Sequence, residues 1–207
     1  MYLSQLILNP RSRRVQHDLM DRYEMHRTLM SAFPAQLPDD ERMLYRVEES
    51  RDREDVSLLV QSRLLPDWDT SSHIMSPGYL RQPPQQRLIA LPPVETRSRF
   101  RLHANPTIKS EGKRHAISGD ERLANWLARQ GEQHGFTISL AHLRIVPLGR
   151  FHGQIRQGAH RQTWAGVQFD GVLEVMDASR FTDALMQGVG SGRAFGFGLL
   201  SIPYRLG

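Results

Sequence analysis

Residues 1–8 (MYLSQLIL) alternate apolar and polar positions and are rich in Leu and Ile, a pattern that predicts a β-strand. Pro10 ends it, and a helical stretch runs from there to about Pro34. Within that stretch Asp21 and Glu24 have the spacing of a capping box. With Asp21 as N-cap, Met25, Leu29, Ala32 and Phe33 recur at helical spacing and form the buried stripe. Residues 43–47 and 56–61 read as two short strands joined by a polar turn. Residues 66–93 hold six of the chain's twelve prolines, so a regular element through them is not expected beyond a short edge strand at 79–81. Within the same stretch, 68–75 is the one segment available for a second helix.

The pattern restarts at 97–103. Ser98, Phe100 and Leu102 point one way, and Arg97, Arg99, Arg101 and His103 the other, which predicts a strand with a cationic face. Asn105-Pro106 marks a bend. Ser118 or Asp120 caps a helix that buries Leu123, Trp126 and Leu127 and stops at Gly135. Residues 136–147 read as a strand, 149–161 as a Gly- and Arg-containing hairpin, and 163–176 as another strand. Asp177 caps a short helix with Phe181, Leu185 and Met186 on its apolar side, and an apolar strand at 195–203 closes the chain. Each half thus reads as strand, helix, strand, strand, helix, strand. The expected fold class is α+β, with two tandem ferredoxin-like (RRM-like) βαββαβ domains, at 1–92 and 97–207.

Composition narrows the function classes. The 207 residues contain no cysteine, which excludes disulfides, thiolate metal sites and a cysteine nucleophile. No apolar run reaches membrane-spanning length, and the N-terminus has the wrong order of charge and apolar residues for a secretory signal, so a cytoplasmic protein without membrane contact is expected. Of 27 basic residues only Lys109 and Lys113 are Lys. Arg grips phosphate bidentately, although a GC-rich genome also writes Arg for Lys. Residues 1–95 carry 12 basic and 14 acidic residues, a net of −2, whereas 96–207 carry 15 and 8, a net of +7. A polyanion that favours the second half is the natural partner.

Two segments carry candidate chemistry. On the first helix Tyr23, His26, Arg27 and Met30 share the flank beside the buried stripe. Metal-free RNA cleavage needs a ribose 2′-OH to attack its own phosphate, a proton for the leaving 5′-oxygen and a cation for the phosphorane. Imidazole suits the proton transfer, Arg the charge, and a tyrosine hydroxyl the orientation of nucleophile or phosphate. The same three residues also fit a border histidine bonded to backbone beside a solvated arginine. Near the C-terminus, 188–198 holds five glycines in eleven residues but matches neither a Walker loop nor a dinucleotide fingerprint. Its glycines permit close approach of the backbone to a ligand or to another element. His142, His152 and His160 have no metal-ligand spacing, so neither a metal nor a cofactor is expected.

Three stretches decide between these readings. MYLSQLIL and YEMHR with Phe33-Pro34, RFRLHANP followed by GKR at 112–114, and GVGSGRAFGFGLLSI at 188–202 together resemble CasE, the CRISPR-associated endoribonuclease family of the type I-E Cascade complex. The matches fall in the family's order across essentially the whole chain. The resemblance implies tandem ferredoxin-like domains and metal-independent cleavage of CRISPR repeat RNA at the base of its hairpin. It also implies retention of the product RNA within Cascade. By the same resemblance His26 and Tyr23 are the catalytic positions and Arg27 a substrate-phosphate contact. The RNA surface is expected at Arg99, Arg101, Lys109, Lys113, Arg114, Arg122, Arg129, Arg150, Arg156 and Arg161, and at Gly190, Gly192 and Arg193 of the glycine segment. His103 stands where the family's motif carries an arginine, which weakens a phosphate contact there. The 149–161 loop does not match the family residue by residue, so its contacts rest on charge alone. A non-catalytic RNA-hairpin-binding subunit is the alternative. A metal-dependent nuclease lacks a carboxylate cluster in the basic half.

Overall fold

The computed structural model describes residues 1–49, 55–89, 97–153 and 162–203. The chain divides into two units. One comprises Met1–Ile89 with Phe151–Thr163 and Ala194–Gly196, and the other comprises Ala90–Arg150, Trp164–Arg193 and Phe197–Gly207.

In the first unit the alternation of 1–8 becomes β1 (Tyr2–Leu8), with Ser4, Leu6 and Leu8 fully buried on one face. Two helices follow, α1 (Arg13–Met20) and α2 (Arg22–Met30), then β2 (Leu44–Glu49), β3 (Val56–Ser62) and β4 (Gln85–Leu88). The sheet order is β2-β3-β1-β4 with every neighbouring pair antiparallel, the ferredoxin-like order. In register, Tyr2 pairs with Ser62 and Leu8 with Val56, so Leu6 and Leu8 meet Leu58 and Val56 on the core face. Met25, Leu29, Ala32 and Phe33 of the expected stripe pack there with Trp68, Ile74 and Tyr79.

Two expectations for this unit fail. No helix forms at 68–75. Side chains capture the backbone donors of that stretch: Asp67 accepts from Thr70 N–H at 3.3 Å, and Ser71 Oγ from Ile74 N–H at 3.2 Å. Such local bonds favour turns over helix. Trp68 still reaches the core, its indole N–H donating to buried Ser4 Oγ at 3.1 Å. The edge strand lies not at 79–81 but at β4, immediately after Pro83-Pro84. Tyr79 is drawn into the core, where its hydroxyl donates to the buried Asp18 carboxylate at 2.8 Å, and Leu80 makes only an isolated bridge to Leu8. All four β4 residues are solvent-exposed, as befits an edge.

The second unit opens with β5 (Arg97–Ala104), then a hairpin of β6 (Thr107–Ser110) and β7 (Lys113–Ala116), and α3 (Asp120–His134). After these come β8 (Phe136–Ile138), β9 (Arg144–Gly153), β10 (Gln162–Val175), α4 (Ala178–Gln187) and β11 (Leu200–Ser201). The main sheet order is β11-β5-β10-β8, again ferredoxin-like, and β9 pairs with β10. Leu123, Trp126 and Leu127 of α3 and Phe181 and Leu185 of α4 pack onto Phe100, Leu102, Phe169 and Leu173 of the sheet. Gly119 rather than Ser118 or Asp120 is the N-cap of α3, and Gly135 ends it as expected. Asp177 caps α4, its carboxylate accepting from Arg180 N–H at 3.0 Å.

Three differences from the sequence reading stand out. Segment 136–147 is broken by a 3₁₀ turn at Leu140–His142, which separates β8 from β9. The segment 195–203 pairs only at Leu200–Ser201, because Gly196 and Gly198 adopt φ of +82° and +89°, outside any strand conformation. The unexpected β6–β7 hairpin turns on Glu111-Gly112, with φ of +51° and +76°, the two positive angles of a type I′ turn. Among the described residues no helix is long and apolar enough to cross a membrane.

Candidate active site and cationic surfaces

α2 exists as a separate helix because of Asp21. That residue is extended (φ −121°, ψ 110°), and its N–H still bonds to His17 O at 3.1 Å, which closes α1. Its carboxylate accepts from Tyr23 N–H at 2.8 Å, which starts α2. Glu24 does not complete a capping box but pairs with Arg27 one turn on. The consequence is a short helix whose core side is fixed by Met25 and Leu29 and whose flank carries Tyr23, His26 and Met30, all half-buried, and Arg27, exposed. The Arg27–Glu24 pair is a surface pair of about 0–1 kcal/mol, weak enough for a phosphate to compete.

His26 lies at the solvent boundary with its Nδ1 buried and bonded to no described residue. Burial holds its pKa below the ordinary imidazole value of 6.5, so the neutral ring dominates at neutral pH. The Phe195 ring lies against it, centroids 6.2 Å apart and planes inclined by 55°. One turn earlier, the buried Arg22 guanidinium sits 4.2 Å above the Phe151 ring, and Tyr45 hydroxyl donates to Arg22 O at 3.2 Å. The sequence offered no signal for Phe151 or Phe195, which reach α2 from distant parts of the chain. Among the described residues one trio, His17, Asp18 and Glu24, brings ligand-type atoms within 4.8 Å of one another. There Asp18 is engaged by Tyr79 and Glu24 by Arg27.

In the second unit the cationic face of β5 is only partly as expected. Arg97 and Arg99 are exposed. Arg101 instead grips Asp170 across the β5–β10 pair, Nε to Oδ1 at 2.6 Å and Nη2 to Oδ2 at 3.2 Å. Gln168 donates to the same carboxylate at 2.6 Å and contacts His103 Nε2 at 2.9 Å. Partial burial raises the Asp170 pKa, but the Arg101 and Gln168 bonds outweigh it and hold the carboxyl below its usual range. His103 is thus buried in a polar ladder and does not face outward.

Lys109, Lys113 and Arg114 all project from the β6–β7 hairpin into solvent, with Lys109 directly opposite Arg114. Like charges facing each other are unfavourable unless an anion lies between them. Arg122 and Arg129, seven positions apart, are exposed on the side of α3 away from its buried stripe, and Arg122 Nε donates to Ser118 O at 2.8 Å. Arg150 is exposed on β9. Arg156 and Arg161 lie outside the described residues.

The glycine segment is built against aromatic rings. A Cβ at Gly190 would stand 3.1 Å from Trp126, and one at Gly192 would stand 3.1 Å from Phe197 and 3.3 Å from Trp164. Arg193 donates to Gly190 O at 3.0 Å and to Gln187 O at 2.9 Å, tying the loop to the end of α4. Asn105 links this segment to the RLHANP motif. Its Nδ2 donates to Ser191 Oγ at 3.1 Å and its Oδ1 accepts from Ala165 N–H at 3.1 Å, while Gly198 N–H donates to His103 O at 2.7 Å. Two motifs far apart in sequence therefore form one laced unit.

Comparison with known proteins places this arrangement. CRISPR-associated endoribonuclease Cse3 of Thermus thermophilus is 37% identical over 215 residues, covering 98% of this chain and 99% of that one. The CRISPR system Cascade subunit CasE of Escherichia coli is 29% identical over 215 residues, with 98% of both chains covered. The solved structure of CRISPR endoribonuclease Cse3 bound to 19 nt RNA superposes with a TM-score of 0.85 at 35% identity, over 98% of this chain and all of that one. The family model described as CRISPR associated protein matches residues 1–203, a span that takes in the α2 flank, the Asn105 clamp and the glycine segment together, and the chain belongs to that family.

Proposed function

We propose that the protein is a metal-independent endoribonuclease that cuts CRISPR repeat RNA at the base of its hairpin. It keeps the product bound and takes its place as a Cascade subunit. The observation that carries this reading is His26, a neutral, half-buried imidazole on the flank of a capped helix beside Tyr23 and Arg27, in a family whose relatives include RNA-bound endoribonucleases. In the reaction the 2′-oxygen bonds to the adjacent phosphorus and loses its proton. The P–O5′ bond breaks and O5′ gains a proton. The products are a 2′,3′-cyclic phosphate and a 5′-hydroxyl. His26 is the proton-transfer group, Arg27 meets the charge on the phosphorane, and the Tyr23 hydroxyl orients the reacting groups.

Hairpin recognition follows from the exposed cations of the second unit. A folded hairpin is read by shape and phosphate, and the sheet has no need of base-stacking aromatics for that. Lys109, Lys113, Arg114, Arg122, Arg129, Arg99 and Arg150 supply the phosphate contacts. Arg101, Arg193, Gly190 and Gly192 support the surface through the bonds and ring contacts described above. Replacing Arg122 and Arg129 by Ala is expected to lower RNA affinity and to flatten the plot of log affinity against log salt by about 0.7–0.9 per contact removed. An unchanged slope in the double variant removes these residues from the RNA surface.

The test of the function is cleavage of a cognate repeat RNA in excess EDTA, with the product ends identified by mass. Full activity and a cyclic-phosphate end are expected. Binding without cleavage leaves the protein as a hairpin-binding subunit. Cleavage lost in EDTA and restored by a divalent ion sinks the metal-free reading and directs attention to His17, Asp18 and Glu24.

A further inference from the structure

A catalytic imidazole is ordinarily oriented by a hydrogen bond on the nitrogen that does not react. His26 lacks one: no described residue bonds to its buried Nδ1. What meets the ring instead is Phe195, at 6.2 Å between centroids and 55° between planes. Phe195 ends the 3₁₀ turn Arg193–Phe195, and the next residue, Gly196, is buried with φ of +82°. A Cβ on Gly196 would stand 2.9 Å from the Tyr45 ring and 3.1 Å from Arg22 Nη1, so only a glycine lets the backbone pass this close to α2. Arg22, one turn before His26, is itself held between Phe151 and the Tyr45 hydroxyl bond. The apposition of Phe195 to His26 is therefore set from both ends, by a backbone that only glycine can form and by a helix that is pinned.

We propose that Phe195 is the positioning residue for His26, its ring supplying through packing the orientation that a hydrogen bond on Nδ1 would otherwise give. This rests on His26 being the proton-transfer group. It gives the RAFG part of the glycine segment a task distinct from phosphate contact. The task is to deliver an aromatic ring to the imidazole.

Three variants test it: Phe195→Leu, which keeps apolar volume without a ring, Phe195→Ala, and Phe195→Tyr, which keeps the ring. Phe195 is not fully buried, so the fold is expected to persist, and circular dichroism with a thermal melt checks this. Single-turnover cleavage at saturating protein is expected to slow about 10- to 100-fold in the Leu and Ala variants, the cost of a reacting group displaced by about an ångström. RNA affinity should stay within about twofold, and Phe195→Tyr should recover most of the rate. A Leu variant as fast as the native protein overturns the proposal, as does a Tyr variant no better than Leu.

A second arm does not depend on catalysis. The Hε1 proton of His26, assigned by its absence in His26→Ala, should shift in the Phe195→Leu spectrum as the ring current is lost and the imidazole reorients. An unmoved resonance overturns the positioning role. If His26→Ala cuts RNA normally, the catalytic reading fails by itself, and the resonance still decides whether Phe195 lies against the imidazole, without which it cannot orient it.

Discussion

Replacing His26 by Ala is expected to lower the single-turnover rate of repeat cleavage by about 100- to 10,000-fold, the range typical of a lost general acid or base. RNA affinity should barely change, because the side chain sits at the border of the helix flank and carries no positive charge at neutral pH. The pH profile adds a second readout. Burial lowers the His26 pKa, so the break in kcat/KM that belongs to it falls below 6.5. If the imidazole takes up a proton, the rate falls as pH drops through that break. If it gives one up, the rate falls as pH rises through it. In either case the break should disappear from the residual activity of His26→Ala. A variant that cuts at the native rate, with the break intact, shows that His26 is structural.

The second large effect lies in the substrate. A repeat RNA with 2′-deoxyribose immediately upstream of the cut should bind normally and remain uncut, because the attacking oxygen is missing. A protein that activates water, with or without a metal, would still cut the deoxy substrate. The comparison therefore separates internal attack from hydrolysis, whatever the standing of any one residue. Persistent cutting at the same phosphodiester refutes the 2′-OH mechanism, even if EDTA has no effect.

Much of this architecture could be read from local pattern. β1 and β10 carry the alternation of strands, and in α3 the buried Leu123, Trp126 and Leu127 are those the helical pattern placed inward. The Asp21 and Asp177 caps were legible because a carboxylate just before a helical stripe satisfies free N–H groups whatever lies around it. The misplaced elements share a different feature. At 68–75 a handful of side-chain bonds outcompeted the helix. At 107–116 the Glu111-Gly112 turn made a hairpin out of residues with no strand-like apolar pattern, since both strands lie in solvent. At 195–203 two glycines broke a stretch whose apolar character serves burial rather than pairing.

The candidate site divides along the same line. The shared flank of Tyr23, His26 and Arg27 follows from helical spacing alone, and the excess of cations after residue 96 follows from counting. Sequence could not show that Arg101 spends its charge on Asp170 across the strand pair, or that His103 is buried against Gln168. An alternating strand reveals which face a residue occupies, but not what stands beside it on the neighbouring strand. Nor could it show that Asn105 clasps Ser191, or that Phe195 lies on His26, since residues so far apart meet only once the sheets have formed. By itself the sequence determined β1, the helix that carries the candidate histidine, the capped helices of the second half and their inward stripes, because each depends on neighbours within a turn or two of chain. The tertiary structure alone decided which cations stay in solvent, which are neutralised, and which ring lies against the imidazole, because charge pairing and ring packing are set by distance in space.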